Sequence, residues 1–136
     1  MGQKVVLDTN ILISALGWNG KPRQIFMNCI EGDLELIISS QQLNELERVM
    51  NYPKFEFSKE EKGHFFNLIL TIATIIEVVG NIQMIKEDPD DNVILETAII
   101  GNAKYLISGD PHLLNLKEVM NIKIVTAADF LDKTTS

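Results

Sequence analysis

Four acids carry the chemistry this sequence can offer: Asp8, Glu45, Asp91 and Asp110. Asp8 ends the apolar run Val5-Val6-Leu7. A run without alternation reads as a strand covered on both faces, and such strands belong to parallel sheets flanked by helices. Ligands of those sheets bind outside the carboxyl ends of the strands. Asp110 follows a second strand-like run, residues 105–108; Glu45 falls in an early turn of the helix after another strand; Asp91 opens a helix. All four are therefore expected at one edge of one sheet. Ionised carboxylates crowded within a few Å repel one another, and some stay protonated unless a cation compensates them. An oxygen-only donor set selects a hard cation, Mg2+ or Mn2+, over Zn2+. Such a cation acidifies water for in-line attack and offsets charge growing on a phosphate. Asp8 would anchor it, Asp91 and Asp110 would complete its coordination, and Glu45 would be a further ligand or a water-orienting base.

Each acid also has a plainer use. Asp8 could cap the following helix, Glu45 could be a surface helix residue, and Asp110, between Gly109 and Pro111, could be a turn residue. In Asp88-Pro89-Asp90-Asp91-Asn92 one acid must cap and the others could be solvated loop charges. Thr9 and Asn10 suit a hydrogen bond to a metal-bound water as well as they suit a turn. Convergence at one edge, not any single motif, carries the reading.

The elements that must deliver these residues are legible in order. Residues 11–16 read as a short helix, 17–20 as a loop, and Pro22 as the first turn of a helix running to about Glu31 and closed by Gly32. Residues 34–39 are a strand. Ser39 with Gln42 offers a capping box for a helix whose stripe is Leu43, Leu46, Val49 and Met50. Ser58 with Glu61 is a second capping box, opening a helix with Phe65, Leu68, Ile69, Ile72 and Ala73 on one side and Phe66 and Leu70 outside that stripe. Residues 75–79 look like a strand, 81–90 like a polar loop, and 91–101 like a helix apolar on most sides and so buried. Residues 105–108 and 123–125 are strands, with a helical turn over 111–116 between them. Thr126 to Asp129 caps a C-terminal helix. Alternating strands and helices of these lengths make an α/β sandwich with a mainly parallel sheet.

Composition is that of one ordinary domain, 1–136, with 46% hydrophobic and 23% charged residues, enough for a real core. Cys29 is the only cysteine, so no intrachain disulfide can form. The longest uncharged run, residues 63–76, is too short to span a bilayer, and no signal-like segment opens the chain. A soluble, cytoplasmic protein with no membrane contact is expected. The net charge of −7 argues against purely electrostatic nucleic-acid binding, unless part of it belongs to a metal site.

At this point the motifs carry a resemblance. Val5-Val6-Leu7-Asp8-Thr9-Asn10-Ile11-Leu12, then Glu45, then Asp91-Asn92-Val93-Ile94-Leu95-Glu96-Thr97-Ala98, then Ile107-Ser108-Gly109-Asp110 resemble the PIN-domain family over nearly the whole chain. Residues 17–23 and 51–55 further resemble the branch that supplies toxins of toxin-antitoxin modules. The resemblance implies a three-layer α/β sandwich with a five-stranded parallel sheet. It also implies a Mg2+ or Mn2+ dependent ribonuclease whose metal-binding acids match Asp8, Glu45, Asp91 and Asp110, with Thr9, Asn10 and Ser108 in support. A cognate antitoxin and a homodimer are implied partners. His112 stands where many relatives have a further acid, two residues after Asp110.

Substrate contacts are expected from Lys21, Arg23 and Trp18, the last able to stack on a base, although a solvated face and an aromatic cover over apolar surface explain them too. His64 and His112 read as surface residues. Two rivals remain. A Mg2+ dependent phosphoryl-transfer protein also puts an Asp after a parallel strand, but Asn10 stands where a phosphatase of that kind needs a second Asp. A non-catalytic RNA-binding or protein-interaction module on the same fold is the other.

Overall fold

A computed structural model describes residues 2–80 and 89–135. The chain runs β1 (Gln3–Leu7), α1 (Thr9–Gly17), α2 (Lys21–Ile30), β2 (Leu34–Ser39), α3 (Ser40–Met50), a 3-10 turn (Pro53–Phe55), α4 (Lys59–Ile72) and β3 (Thr74–Ile76). It continues with α5 (Pro89–Ile100), β4 (Tyr105–Ile107), α6 (Pro111–Leu114), β5 (Glu118–Val119), β6 (Ile122–Val125) and α7 (Ala127–Thr135). The polar loop expected over 81–90 lies outside the described residues as far as 88, and α5 opens at Pro89, two residues earlier than its apolar pattern suggests.

The described strands form one sheet of order β3-β2-β1-β4-β6-β5. It is parallel from β3 to β6, with Val5, Val6 and Leu7 of β1 paired to Tyr105, Leu106 and Ile107 of β4. The expectation of five strands is corrected to six. Glu118 and Val119 fold back antiparallel on Ile122 and Lys123. The two-residue turn between them, Met120-Asn121, has φ of 49° and 69°. Positive φ at both central positions is the primed turn whose twist matches a hairpin. A two-residue strand has no apolar run to betray it, so nothing in the periodicity marks it.

Successive strand residues face opposite sides of a sheet, and the core divides accordingly. Val5, Leu7, Leu36, Ile38, Tyr105 and Ile107 pack with α1 to α4 and α7. Val6, Ile37, Leu106 and Ile124 face the other way, onto α5 and α6. Three layers result. Gly101, just beyond α5, is needed for that packing. A Cβ there would collide with Ile37 Cγ2 and come within 2.9 Å of the Thr97 carbonyl. Gly101→Ala is expected to lower stability by about 1–3 kcal/mol, read as a lower urea midpoint at unchanged slope.

Helix starts follow the sequence closely. Ser58 and Glu61 form the full reciprocal box. At α3 only half forms. Ser39 Oγ accepts from Gln42 N, but the Gln42 amide turns inward and donates to the Leu7 carbonyl at 2.6 Å. That tie joins the start of α3 to the end of β1, one residue before Asp8. The middle of α5 is buried throughout, and its polar members are satisfied. Glu96 accepts from the backbone N–H groups of Val79 and Gly80, and Thr97 donates to Ser39 Oγ. Burial pushes the Cys29 thiol up to about 12, which leaves it an inert core residue. No helix among the described residues is long and apolar enough to cross a membrane.

Candidate metal centre

The chain runs outward from β1 to β2 and β3, then returns to the other side of β1 for β4. Between β1 and β4, therefore, the helices leave the sheet on opposite faces, and a crevice opens where α/β sheets bind ligands. Asp8 is the first residue after β1, and Asp110 follows β4 by three residues. A cleft of ≈ 240 Å³ lies there, lined by Asp8, Thr9, Asn10, Glu45, Asp91 and Asp110, with Asp90 on its wall. All four acids singled out by type and spacing thus meet in one cleft.

Asp8 stands at the N-cap position of α1 but makes no side-chain cap bond. Its carboxylate is buried, and Oδ2 accepts from Ser108 Oγ at 2.6 Å. The same Ser108 oxygen accepts from the Asp110 backbone N–H at 3.0 Å. One fully buried hydroxyl therefore registers Asp8 against Asp110 across the two strand ends. Asp110 does cap its helical turn, Oδ1 accepting from the His112 N–H at 2.8 Å, and lines the cleft as well. Asp91 is buried in the first turn of α5. Thr9 Oγ1 donates to Glu45 Oε1 and carries the Asp8-Thr9-Asn10 segment to α3. Asn10 is exposed on the rim.

Glu45 records the electrostatics of the cleft. Its carboxyl is pushed up to about 7, first by burial, then by the hydrogen bond and charge of Asp90 and the charge of Asp8, with the Thr9 bond opposing. The half-exposed Arg48 lies alongside, with a guanidinium nitrogen 4.0 Å from Glu45 and 3.6 Å from Asp90. A raised carboxyl pKa weakens the fold as the pH rises. Below about pH 4.5 the group is protonated whether folded or not; between 4.5 and about 7 the unfolded chain ionises first; above 7 the penalty is complete. In chelator, Glu45→Gln should therefore melt with wild type at pH 4, progressively above it between pH 4.5 and about 7, and by a constant margin at higher pH.

Two residues set aside in the sequence belong to this neighbourhood. Ligand atoms of Asp91, Asp110 and His112 lie within 4.8 Å of one another. Ligands of one octahedral Mg2+ sit about 2.9 Å apart when adjacent and about 4.2 Å apart when opposite, so the trio is close enough to share a cation once its side chains close in. His112 is exposed as expected, yet its Nδ1 is 3.7 Å from Asp110 Oδ1. Asp90 is the second, and its signal was Pro89: proline at the start of a helix puts both following acids in the first turn rather than in a loop. The donor set fits a hard divalent cation. It is carboxylate oxygen with a single borderline imidazole, and its like charges are held together at the expense of the Glu45 ionisation.

The residues expected to touch substrate lie apart from the acids. Arg23 donates from Nε to the Ala15 carbonyl and from Nη2 to that of Leu16, both at 2.8 Å, so it closes the end of α1 and does not line the cleft. Lys21 is exposed at the start of α2. Trp18 is exposed in the intervening loop and touches Phe55, which lines the cleft.

Comparison with known proteins agrees with this fold. A family model described as "PIN domain" matches residues 4–112. Among solved structures, a chain of the crystal structure of VapBC2 from Rickettsia felis bound to a DNA fragment from their promoter is similar in fold. Its TM-score is 0.58 at 19% identity, covering 90% of this chain and 97% of that one. No curated protein matches.

Proposed function

Since the chain belongs to the PIN-domain family, we propose that it is a Mg2+ or Mn2+ dependent endoribonuclease that hydrolyses RNA phosphodiester bonds, its single domain spanning 1–136. One observation carries the reading: Asp8, Glu45, Asp91 and Asp110 share a cleft at the switch point of the sheet, with Glu45 pushed up to about 7. That much negative charge calls for a cation, and the cation is what admits a phosphate.

Asp8, Asp91 and Asp110 would be the ligands, with Glu45 a ligand or water-orienting base. When bound, the cation acidifies water and neutralises charge developing on the phosphate. The protein supplies fixed geometry. Ser108 holds Asp8 in register with Asp110, Thr9 orients Glu45, and neither hydroxyl can turn away without losing its carboxylate partner. Asn10, on the rim, is within the same cleft and orients water or substrate. Arg23 fixes the end of α1 and so presents Trp18 and Lys21 to the substrate.

The fold likeness to VapBC2, together with segments 17–23 and 51–55, supports a further reading of the chain as the toxin of a toxin-antitoxin module, cytoplasmic, homodimeric and held by a cognate antitoxin. The activity is tested by incubating purified protein with labelled single-stranded and structured RNAs in Mn2+, Mg2+ or excess chelator. Cleavage in the metals and none in chelator is expected. Metal binding without cleavage of any RNA would move the reading to the binding module.

A further inference from the structure

A row of aromatic rings leads away from the acidic cleft, and of its members only Trp18 has been given a role above. Tyr52 and Phe55 line the cleft, with ring centres 6.4 Å apart and planes within 6°. Phe55 and Phe57 continue the row at 5.4 Å and 7°. Trp18 ends it edge-on, 6.3 Å from both phenylalanines. The inner rings are half-buried and rest on the main core, whereas Tyr52 is 37% and Trp18 54% exposed. The support is stiff. Pro53 fixes the 3-10 turn, and Phe57 lies so close to Gly17 that a Cβ there would be 3.0 Å from the ring.

Cations stand between these rings and the carboxylates. Lys54 lines the cleft with its ammonium 5.2 Å from the centre of the Phe55 ring. Arg48 donates to the Tyr52 hydroxyl at 3.0 Å while reaching toward Asp90. A stacking face, a cation and a metal-binding cleft in sequence match a nucleotide strand, in which base and phosphate alternate. Aromatic rings accept the face of any base, provided it is unpaired.

We propose that the exposed rings of Tyr52 and Trp18, held in place by Phe55 and Phe57 behind them, form a stacking platform for single-stranded RNA, with Lys54 on the backbone, seating unpaired nucleotides beside the phosphate at the acidic cleft. The inference rests on the ribonuclease reading and adds to it a place for the bases that flank the phosphate at the cleft.

Trp18 is the only tryptophan, so its emission reports on the platform directly. The titration uses an eight-nucleotide oligo(rA) and a blunt duplex of equal length, with Ca2+ as the cation. Single strand should quench Trp18 and bind at least about tenfold tighter than duplex. Followed by anisotropy of a labelled strand, Tyr52→Leu and Trp18→Leu should each weaken binding about tenfold, with Tyr52→Phe restoring it and melting temperatures preserved. Absence of wild-type quenching, or equal affinity for duplex, overturns the platform whether or not the variants fold. So does unchanged affinity in folded leucine variants. Chelator-sensitive cleavage surviving any of these results leaves the ribonuclease reading standing, whereas loss of metal binding and cleavage together removes both.

Discussion

Asp8→Asn, folded like wild type, is expected to cleave labelled single-stranded RNA in Mn2+ at least about a hundredfold more slowly. The substitution keeps the shape of the side chain and an oxygen able to accept from Ser108, so β1, α1 and the contact to Asp110 should stay as they are. What it removes is one full negative charge from the carboxylate nearest the middle of the sheet edge. Second-sphere partners of metals already matter by about 10- to 100-fold, and a direct ligand matters more. Ser108→Ala makes the graded comparison: it leaves every carboxylate in place but unties Asp8 from Asp110, and a loss of about tenfold is expected. Equal rates for wild type and Asp8→Asn, with the chelator control still inhibiting, would mean that the metal acts elsewhere.

The second large effect has opposite signs in two buffers. A ligand that binds only the folded state stabilises it by about 2.7 kcal/mol at a hundred times its Kd. For a chain of this size, saturating Mn2+ should then raise the wild-type melting temperature by roughly 10 °C. Asp8→Asn and Asp91→Asn should lose most of that rise. In chelator at pH 8 the order reverses for Asp8→Asn, which should melt at or above wild type, because it removes one buried negative charge from a cleft whose Glu45 carboxyl is held near 7 by burial first, then by Asp90 and last by Asp8. Asp91→Asn gains less there, since a carboxylate in the first turn of α5 is also favoured by the helix N-terminus. Differential scanning in the two buffers reads both signs. A variant less stable in chelator and equally raised by Mn2+ would mean these acids are structural.

Strands β1, β2, β4 and β6 were legible because parallel strands are buried on both faces and leave unbroken apolar runs such as Val5-Val6-Leu7 and Leu36-Ile37-Ile38. Asp8 and Asp110 were legible because they follow such runs, Glu45 and Asp91 because they lie in early turns of helices, and a parallel sheet sends all its strand ends to one edge. What failed to show was whatever depends on three-dimensional approach. β5 is two residues pinned by backbone φ at Met120 and Asn121. His112 looks like surface in sequence and is surface, yet the short α6 brings it to Asp110 and Asp91. Arg23 carries the charge of a substrate contact, but its hydrogen bonds go to the carbonyls that end α1, and only the path of the 18–20 loop decides that. Ser108 could be named from its motif, but its bridge joins residues a hundred positions apart and becomes visible only with the pairing of β1 and β4.

The most direct measurement is a crystal soaked in Mn2+ and recorded at a wavelength where manganese scatters anomalously. The account predicts a peak in the cleft within coordination distance of Asp8, Asp91 or Asp110, absent from Asp8→Asn crystals soaked in the same way. A peak elsewhere on the surface, or none with the carboxylates still crowded together, would contradict it.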